Sequence, residues 1–412
     1  MSFIRLCEEK VSTSVNLDLA IETLIALDQP FALYRLLGEQ EPNLLLQSDN
    51  TLTCYKTHEQ LASVSGFLMA PFSISDAAPM VVLKADKRLH GFKHIESYLE
   101  QAMLSPAFSA YYQKISAKNC AEDIVFAASC DEQWEEQQSK YKADFAAFHE
   151  ALMSHQFDKL VLSTKRALQY RPFRAYASFV KACMLYPKMM VSLVSSKLTG
   201  TWLGATPEIL IKGQGENFQT MSLAGTMLSS ELDCSHPEDL SLWSDKDKLE
   251  QEFVTHYIRE VISPYAASID EHGPYFVQAG PVCHLRTDFH FKIKDELALG
   301  QLIGKLHPTP AVCGLPKQEA YDFIIKTETI NRRYYSGMLG PLNLDESSQL
   351  FVNLRCMEVH FEPDAITQSQ AIADVYAGGG NLRQSQCPLE LQEACNKMKA
   401  ICSAIVDPRK GE

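Results

Sequence analysis

Two residues of this 412-residue chain are candidates for proton transfer. Lys159 lies in the strand-like run KLVLS, whose alternation puts Lys159, Val161 and Ser163 on one face. A buried lysine can accept a proton near neutral pH because burial disfavours its ammonium form, although most lysines in such a place mark a strand end. Glu208, in GATPE, could serve as a general acid if it is neutral and hydrogen-bonded, or be an ordinary residue at a strand start.

Glu250 is a candidate metal ligand. The segment DKDKLEQEFVTHYIREVIS repeats apolar residues at a helical period, and Glu250 falls inside that stripe whereas Glu252 points away. A carboxylate on a buried face is costly unless a cation compensates it. The cation could be a metal, or an arginine if Glu250 lies at the edge of the stripe. The stripe consists of Leu249, Phe253, Val254, Tyr257, Ile258 and Val261.

The last predicted helix, PLELQEACNKMKAICSAIV, carries a second acidic strip. Glu390, Glu393 and Lys397 lie along the border of its apolar face. Taken alone, the spacing favours a surface ion pair between Glu393 and Lys397. Combined with Glu250, these carboxylates supply the oxygen ligands that Mg²⁺ prefers, with positions left for water and substrate.

Three further features suit an anionic substrate. Gly378, Gly379 and Gly380 follow a probable strand in VYAGGGN and would form either a nest of N–H groups or a flexible turn. Arg355, inside the apolar strand FVNLRCMEV, could grip a carboxylate at two points or form an internal salt bridge. His307 in LHPTP is held between prolines and pre-positioned for a hydrogen bond, although a single histidine is more often structural.

These residues need a scaffold of helices and strands. Strand-like segments, with hairpin turns at KLTG and KGQGEN, alternate with helices from LVLST onwards. They indicate an α/β protein of the α+β type, with large, mainly antiparallel sheets flanked by helices. Residues 141–412 form the predicted catalytic region, and residues 1–140 a motif-poor N-terminal part.

Composition excludes several classes of function. A net charge of −13 and a pI near 5.4, without a basic cluster, argue against nucleic acid as a partner. The 12 cysteines contain no C-x-x-C pair, so neither a zinc ribbon nor a redox motif is indicated. The start lacks an apolar signal region, and no run of apolar residues is long enough to span a membrane. The sequence therefore predicts a cytoplasmic protein that does not bind membranes.

The ordered set of motifs resembles the chorismate-utilising enzymes, which include anthranilate synthase component I, and among them most closely the isochorismate synthases. The similarity covers roughly the C-terminal two-thirds of the chain. DKLVLS is similar to the family's lysine strand, and GATPE to its GxSPE motif, with Thr206 in place of serine. LAGT and HPTPA are intact, Arg355 and Cys356 match the Arg-Cys signature, and AGGG stands for the usual AGAG.

The resemblance implies a role for each site residue. Lys159 would be the base that activates water and Glu208 the general acid. Mg²⁺ would bind Glu250 and Glu393, with Glu390 as a nearby acid of the metal site. Lys397 would bind a carboxylate of the substrate. The remaining residues would also bind substrate: Ala224, Gly225, Thr226, His307, Arg355, Gly378, Gly379 and Gly380. The same resemblance implies that the N-terminal third belongs to one intertwined domain.

The implied reaction converts chorismate into isochorismate. Lys159 takes a proton from a water that attacks carbon 2, while Glu208 protonates the departing hydroxyl on carbon 4. Mg²⁺ would bind the ring carboxylate of chorismate. Arg355 and the glycine amides would bind its enolpyruvyl carboxylate. One water adds and one leaves, so the enzyme is an isomerase.

Other activities of the family are weighed against this one. Family members that use ammonia lack the lysine and work with a glutaminase, so neither amination nor a glutaminase subunit is expected. A salicylate synthase, which goes on to eliminate pyruvate, shares Lys159 and Glu208 and remains an alternative, whereas a non-catalytic chorismate-binding protein would have lost such groups. The sequence favours a monomer and is compatible with menaquinone or siderophore biosynthesis.

Overall fold

The predicted mixture of helices and antiparallel sheets is confirmed. The computed structural model describes residues 15–106, 108–110, 130–170, 173–233, 235–279, 282–294, 299–361 and 371–406. In this part of the chain no helix combines the length and apolar character needed to cross a bilayer. The α-helices are α1 (Val15–Ala26), α2 (Phe92–Met103), α3 (Cys130–Met153), α4 (Ala175–Leu185), α5 (Asp245–Ile262), α6 (Leu299–Leu306), α7 (Lys317–Thr327) and α8 (Cys387–Cys402).

The strands form two nine-stranded sheets. Sheet A has the order β14-β7-β18-β17-β9-β8-β1-β2-β6, and sheet B the order β12-β13-β11-β10-β16-β15-β4-β5-β3. The described pairs are antiparallel. The strands are β1 (Phe31–Arg35), β2 (Asn43–Leu46), β3 (Thr53–Tyr55), β4 (Gly66–Ala70), β5 (Met80–Leu83), β6 (Lys87–His90), β7 (Lys159–Tyr170), β8 (Met190–Ser196), β9 (Gly200–Thr206), β10 (Ile209–Gln214), β11 (Asn217–Leu228), β12 (Ala266–Ala279), β13 (Val282–Ile293), β14 (Gly314–Leu315), β15 (Met338–Leu342), β16 (Ser347–Val352), β17 (Cys356–Phe361) and β18 (Ala371–Asn381).

The two sheets pack face to face. Apolar side chains of sheet A, such as Tyr34 and Trp202, meet Phe67 and Phe351 of sheet B in one buried cluster. Helices α1, α2, α4 and α8 cover the other face of sheet A, while α5 and α6 cover sheet B. Each sheet therefore buries both faces, which explains why many strands are apolar at successive positions rather than alternating.

Two of the links at which the chain crosses between the sheets lie next to each other. Pro207 and Glu208 join β9 of sheet A to β10 of sheet B, and residues 353–355 join β16 of sheet B to β17 of sheet A. The links are tied together, because Val352 N–H donates to the carbonyl of Glu208 at 3.0 Å and Ala205 N–H to that of Arg355 at 3.1 Å. Thr206 Oγ1 adds a bond to the carbonyl of Val352, 146 positions away in the sequence, so the two links are fixed side by side.

Both sheets combine strands from either side of residue 140. Residues before it supply β1, β2 and β6 to sheet A and β3, β4 and β5 to sheet B. β1 lies inside sheet A, paired with β2 on one edge and β8 on the other. The strands from residues before 140 thus lie together at one end of each sheet and complete both. The division of the chain at residue 140 into a motif-poor and a catalytic part stays a prediction.

Candidate active site

One cavity collects most of the candidate residues. It lies where the crossover links, the C-terminal half of β11 and the end of β18 face helices α5 and α8. Apolar walls alternate with charged and polar groups. The charged and polar side chains that line it are Glu208, Thr226, Glu250, His284, Tyr335, Arg355, Tyr376, Glu393 and Lys397.

Glu208 is the buried carboxyl group of the first crossover link. Burial raises its pKa to about 7, and Lys159, Thr309 and Lys397 only partly oppose that shift. Its backbone N–H donates to Thr206 Oγ1 at 3.3 Å, and this hydroxyl donates to Val352 O at 2.6 Å. Thr206 therefore supplies a hydroxyl that fixes the link. A carboxyl with such a pKa is partly protonated near neutral pH and can act as an acid.

Arg355 lies between β16 and β17 and not inside a continuous strand, so the expected strand position is wrong. Its φ of 47° is in the left-handed region, which is unusual for a residue with a side chain. Burial lowers the pKa of Arg355 to about 10, which leaves it cationic at neutral pH. The link turns the guanidinium into the cavity, where it can bind an anion.

His284 of β13 orients Arg355, and the sequence did not single it out. Its Nδ1 lies 2.7 Å from the carbonyl of Gly225, and its Nε2 contacts Arg355 Nη2. A carbonyl can only accept and a guanidinium can only donate, so Nδ1 carries the proton and Nε2 accepts. Burial, with the charge of Arg355, lowers the pKa of His284 to about 3 and keeps it neutral. Its sequence signal, one histidine in an ordinary strand, was too weak to detect.

Gly225 and Thr226 form a bulge in β11. The pairing with β13 shifts register between Ala224 and Met227, and Gly225 has a φ of 69°. A glycine takes this conformation without steric cost, and the extra residue bends the strand. The LAGT motif therefore presents Ala224, Gly225 and Thr226 to the cavity, as expected for substrate-binding residues whose role stays a prediction.

Lys159 opens β7 and its side chain is completely buried, with 0% exposure. Its Nζ lies 2.8 Å from Glu250 Oε1, so the compensating cation for Glu250 is this lysine and not an arginine. Glu250 lies on the buried face of α5, which begins after the N-cap Ser244. Leu249, expected in the apolar stripe, is 40% exposed. The stripe is shifted by about one residue towards Glu250 and Gln251.

Helix α8 carries the other carboxylates. Glu393 Oε1 lies 2.7 Å from Lys397 Nζ, which also donates to the carbonyl of Gly378 at 2.9 Å. Burial opposes ionisation of Glu393, but Lys397 outweighs it and the pKa is lowered. Glu390 is paired at 2.7 Å with Lys246 of α5, a partner that sequence reasoning missed, and burial raises the pKa of Glu390. The i,i+4 pair expected on a surface thus exists, and it lines the cavity.

The three glycines lie within β18, so the expected loop is wrong. Gly378, Gly379 and Gly380 pair with Ser163, Leu162 and Val161, and their φ angles are not in the left-handed region that a nest needs. Their small size has another purpose. A Cβ on Gly380 would overlap Glu250 Oε1 and lie 2.7 Å from Lys159 Cε. The bare strand makes room for the ion pair between Lys159 and Glu250.

His307 is not brought together with the other candidates. It is buried beside His58, with ring centroids 6.2 Å apart, and does not line the cavity. From the same HPTPA motif, Thr309 Oγ1 lies 3.4 Å from Glu208 Oε1, and Ala311 lines the cavity. The motif contacts the site through the residues that follow its histidine.

The donor set fits a divalent cation bound partly by other ligands. Glu250 and Glu393 line one cavity, and Glu390 Oε2 is buried without a hydrogen-bond partner, 3.5 Å from where a Cβ on Gly379 would lie. Among the described residues, however, no three acidic, histidine or cysteine side chains lie close enough to hold a metal by themselves. Mg²⁺ suits such a site, because it binds one or two carboxylates and keeps water or substrate as further ligands.

The chain is similar to known proteins over most of its length. Residues 60–406 match the family described as chorismate binding enzyme. The vibriobactin-specific isochorismate synthase of Vibrio cholerae is 29% identical over 206 residues, 49% of this chain and 50% of the relative. Isochorismate synthase EntC of Escherichia coli K12 is 30% identical over 163 residues, 39% of this chain and 42% of the relative. The chain thus spans about half the length of the curated relatives it matches.

Solved structures share the fold. MenF, the menaquinone-specific isochorismate synthase of Escherichia coli, superposes with a TM-score of 0.67 at 19% identity, over 93% of this chain and 90% of that one. Anthranilate synthase component I of Streptococcus pneumoniae superposes with a TM-score of 0.62 at 17% identity, over 90% and 89% of the two chains. At these identities the likeness concerns the fold alone.

Proposed function

The chain belongs to the chorismate binding enzyme family, and from this premise we propose that it is an isochorismate synthase, an isomerase that turns chorismate into isochorismate. One observation carries the proposal. A single cavity holds a buried carboxyl group with a pKa near 7, Glu208, together with Arg355 and the carboxylate that contacts the buried Lys159. An acid and an anion-binding cation thus line one cavity, and the candidate base Lys159, which does not itself line it, is joined to it through Glu250.

The proposed roles follow from these contacts. Lys159 accepts a proton from the water that attacks carbon 2, and Glu208 gives a proton to the hydroxyl that leaves carbon 4. The double bonds of the ring shift between the two carbons. The atoms balance because one water is consumed and one is released, and solvent then returns the lysine and the carboxyl group to their starting states.

Substrate binding is assigned to the cations of the cavity. Arg355, held by His284, is proposed to bind the enolpyruvyl carboxylate, and Lys397 supports binding of the ring carboxylate. We assign Gly378, Gly379 and Gly380 to the same substrate, since these residues line the cavity in extended conformation. Gly379 is paired with Leu162 of β7, and the amides of Gly378 and Gly380 point away from that strand. Ala224, Gly225 and Thr226 also line the cavity and are assigned to substrate binding.

Magnesium is the proposed cofactor, held by Glu250 and Glu393 with Glu390 beside them. When bound there it would neutralise and orient a substrate carboxylate. Glu250 Oε1 lies 2.8 Å from Lys159 Nζ, so the metal would share this carboxylate with the lysine. The monomeric state and the location in the cytoplasm stay predictions from the sequence.

The deciding experiment incubates the purified protein with chorismate and Mg²⁺ and separates the products by chromatography. Isochorismate as the product supports the proposal. Salicylate and pyruvate would show that the site also eliminates the enolpyruvyl group, and unchanged chorismate would refute a catalytic role. Protein without added Mg²⁺ and with a chelator is the control for the metal requirement.

A further inference from the structure

The strand that carries Lys159 has an incomplete partner on one edge. β18 pairs with β7 from Leu160 to Tyr170, but on the opposite edge β14 covers only Lys159 and Leu160. Val161 N–H still donates to the carbonyl of Cys313 at 2.6 Å. After that point the backbone groups of β7 on this edge need other partners, because buried groups without one are costly.

Two side chains from one segment take the place of the missing strand. Glu328 follows α7, and its Oε1 accepts a hydrogen bond from Ser163 N–H at 2.7 Å. Arg332 Nη2 donates to the carbonyl of Val161 at 2.7 Å. The two residues thus satisfy an acceptor and a donor that a neighbouring strand would otherwise satisfy.

The pair is buried and fully engaged. Arg332 Nε lies 2.6 Å from Glu328 Oε2 and Nη2 lies 2.8 Å from Oε1, while each side chain is only 2% exposed. The guanidinium also lies 4.2 Å from the centre of the Phe72 ring. The guanidinium of Arg332, held by Glu328 and by the Phe72 ring, has little freedom to move, so it fixes the groups that it binds.

Arg332 also binds a second segment that lines the cavity, the loop that carries Val312. Its Nη1 donates to the carbonyl of Val312 at 2.7 Å, and both Val161 and Val312 line the cavity. Val161 is two residues from Lys159 on the same face of β7. Val312 is three residues after Thr309, which contacts Glu208. One guanidinium therefore spans the strand of the candidate base and the loop that touches the candidate acid.

We propose that Arg332, held by Glu328, is a positioning residue that sets the separation between the Lys159 strand and the loop against Glu208. This inference rests on the proposed function, because it assigns the pair a part in aligning proton transfer. Neither side chain lines the cavity. A displacement of about 1 Å between reacting groups is enough to slow a reaction by roughly 100-fold.

Arg332→Lys removes the planar set of guanidinium donors and keeps the positive charge. A lysine cannot donate to Val161, Val312 and Glu328 in one plane, so we expect kcat to fall about 10- to 100-fold. The KM for chorismate should change less than about threefold, because the groups that bind substrate stay in place. Glu328→Gln should also lower kcat with little change in KM. If Arg332→Lys does not fold, the kcat and KM of Glu328→Gln test the proposal in its place.

Arg174→Lys is the matched control. Arg174 pairs with the buried Asp18 at 2.8 Å, and Asp18 also accepts from the backbone N–H of Ala177, all outside the cavity. This variant should lose stability to unfolding while its kcat per folded molecule stays at the wild-type value. An equal fall of kcat in the control, or a kcat of Arg332→Lys within about threefold of wild type, would overturn the proposal.

Hydrogen–deuterium exchange supplies a readout that does not depend on turnover. In both Arg332→Lys and Glu328→Gln, amides of the peptide spanning residues 159–164 should exchange faster, while those of β8 and β9 keep wild-type rates. Unchanged exchange in residues 159–164 would also refute the positioning role. A wild-type protein that makes no isochorismate would instead sink the proposed function, and the exchange data would still decide whether the pair holds β7.

Discussion

At the scale of single residues, burial decides the chemistry of Glu208. Its pKa of about 7 results from loss of solvation, which the nearby Lys159 offsets only in part. A general acid must be protonated to act, so the activity that depends on Glu208 is present below its pKa and is lost as the pH rises through it. Because the shift is upward from 4.5, the acid stays competent at pH values where an exposed glutamate is fully ionised.

Glu208→Gln should therefore remove this limb of the pH profile. We expect kcat to fall about 10²- to 10⁴-fold, with the remaining rate no longer falling with pH near 7. The measurement is kcat/KM for chorismate across pH 5–9 (roughly two units either side of neutrality). Glu216→Gln is the control, because Glu216 is exposed and pairs with Lys292 away from the cavity. A glutamine variant that keeps the wild-type alkaline limb would assign that limb to another group.

Lys159→Ala should stop the reaction while chorismate still binds. We expect kcat to fall about 10²- to 10⁴-fold because the variant loses the proposed base. Chorismate affinity, measured by calorimetry, should change far less, since Arg355 and Lys397 remain. Lys165→Ala is a matched control on the same strand, where the lysine pairs with Asp374. Wild-type turnover in Lys159→Ala would exclude the lysine as the base.

At the scale of elements, β18 shows how a strand makes room for charge. A Cβ on Gly380 would overlap Glu250 Oε1, whereas a Cβ on Gly379 would meet no atom closer than 3.5 Å. Gly380→Ala must therefore push Glu250 and Lys159 apart. We expect the Mg²⁺ concentration for half-maximal activity to rise at least about tenfold.

Gly379→Ala provides the comparison for that prediction. It adds the same methyl group one residue earlier on the same strand, where the contacts are of ordinary length. The added methyl would face Glu390 Oε2 at 3.5 Å and Glu393 Oε1 at 3.9 Å without overlap, so its magnesium titration should shift less than that of Gly380→Ala. Equal titration curves for Gly379→Ala and Gly380→Ala would show that the space beside Glu250 does not control the metal site.

At the scale of the whole molecule, the N-terminal part is indispensable to folding because its strands complete one end of both sheets. A fragment of residues 141–412 would lack six strands, which leaves β8 and β15 as open apolar edges. We expect this fragment to aggregate or to lack cooperative thermal unfolding by circular dichroism. Co-expression with a fragment of residues 1–140 should restore soluble, folded protein, and a stable fragment 141–412 alone would contradict the prediction.

Local patterns in the sequence were sufficient for elements and for most of the candidate residues that line the cavity. The helical period located α5 and α8, the turn residues located two hairpins, and the motifs singled out Lys159, Glu208 and Glu250. These features depend on neighbours within a few residues. The conformation of Arg355 and the extended form of the three glycines were missed because both depend on distant strands that pair with them.

The sequence by itself determined the set of ionisable side chains and the periodicity that buries some of them. Only the tertiary structure decided which of them meet. Glu208 and Arg355 are neighbours because two crossover links hydrogen-bond to each other, and Glu250 finds Lys159 because α5 lies against the bare end of β18. Periodicity fixes which face of an element is buried, whereas the choice of partner depends on contacts between residues far apart in the chain.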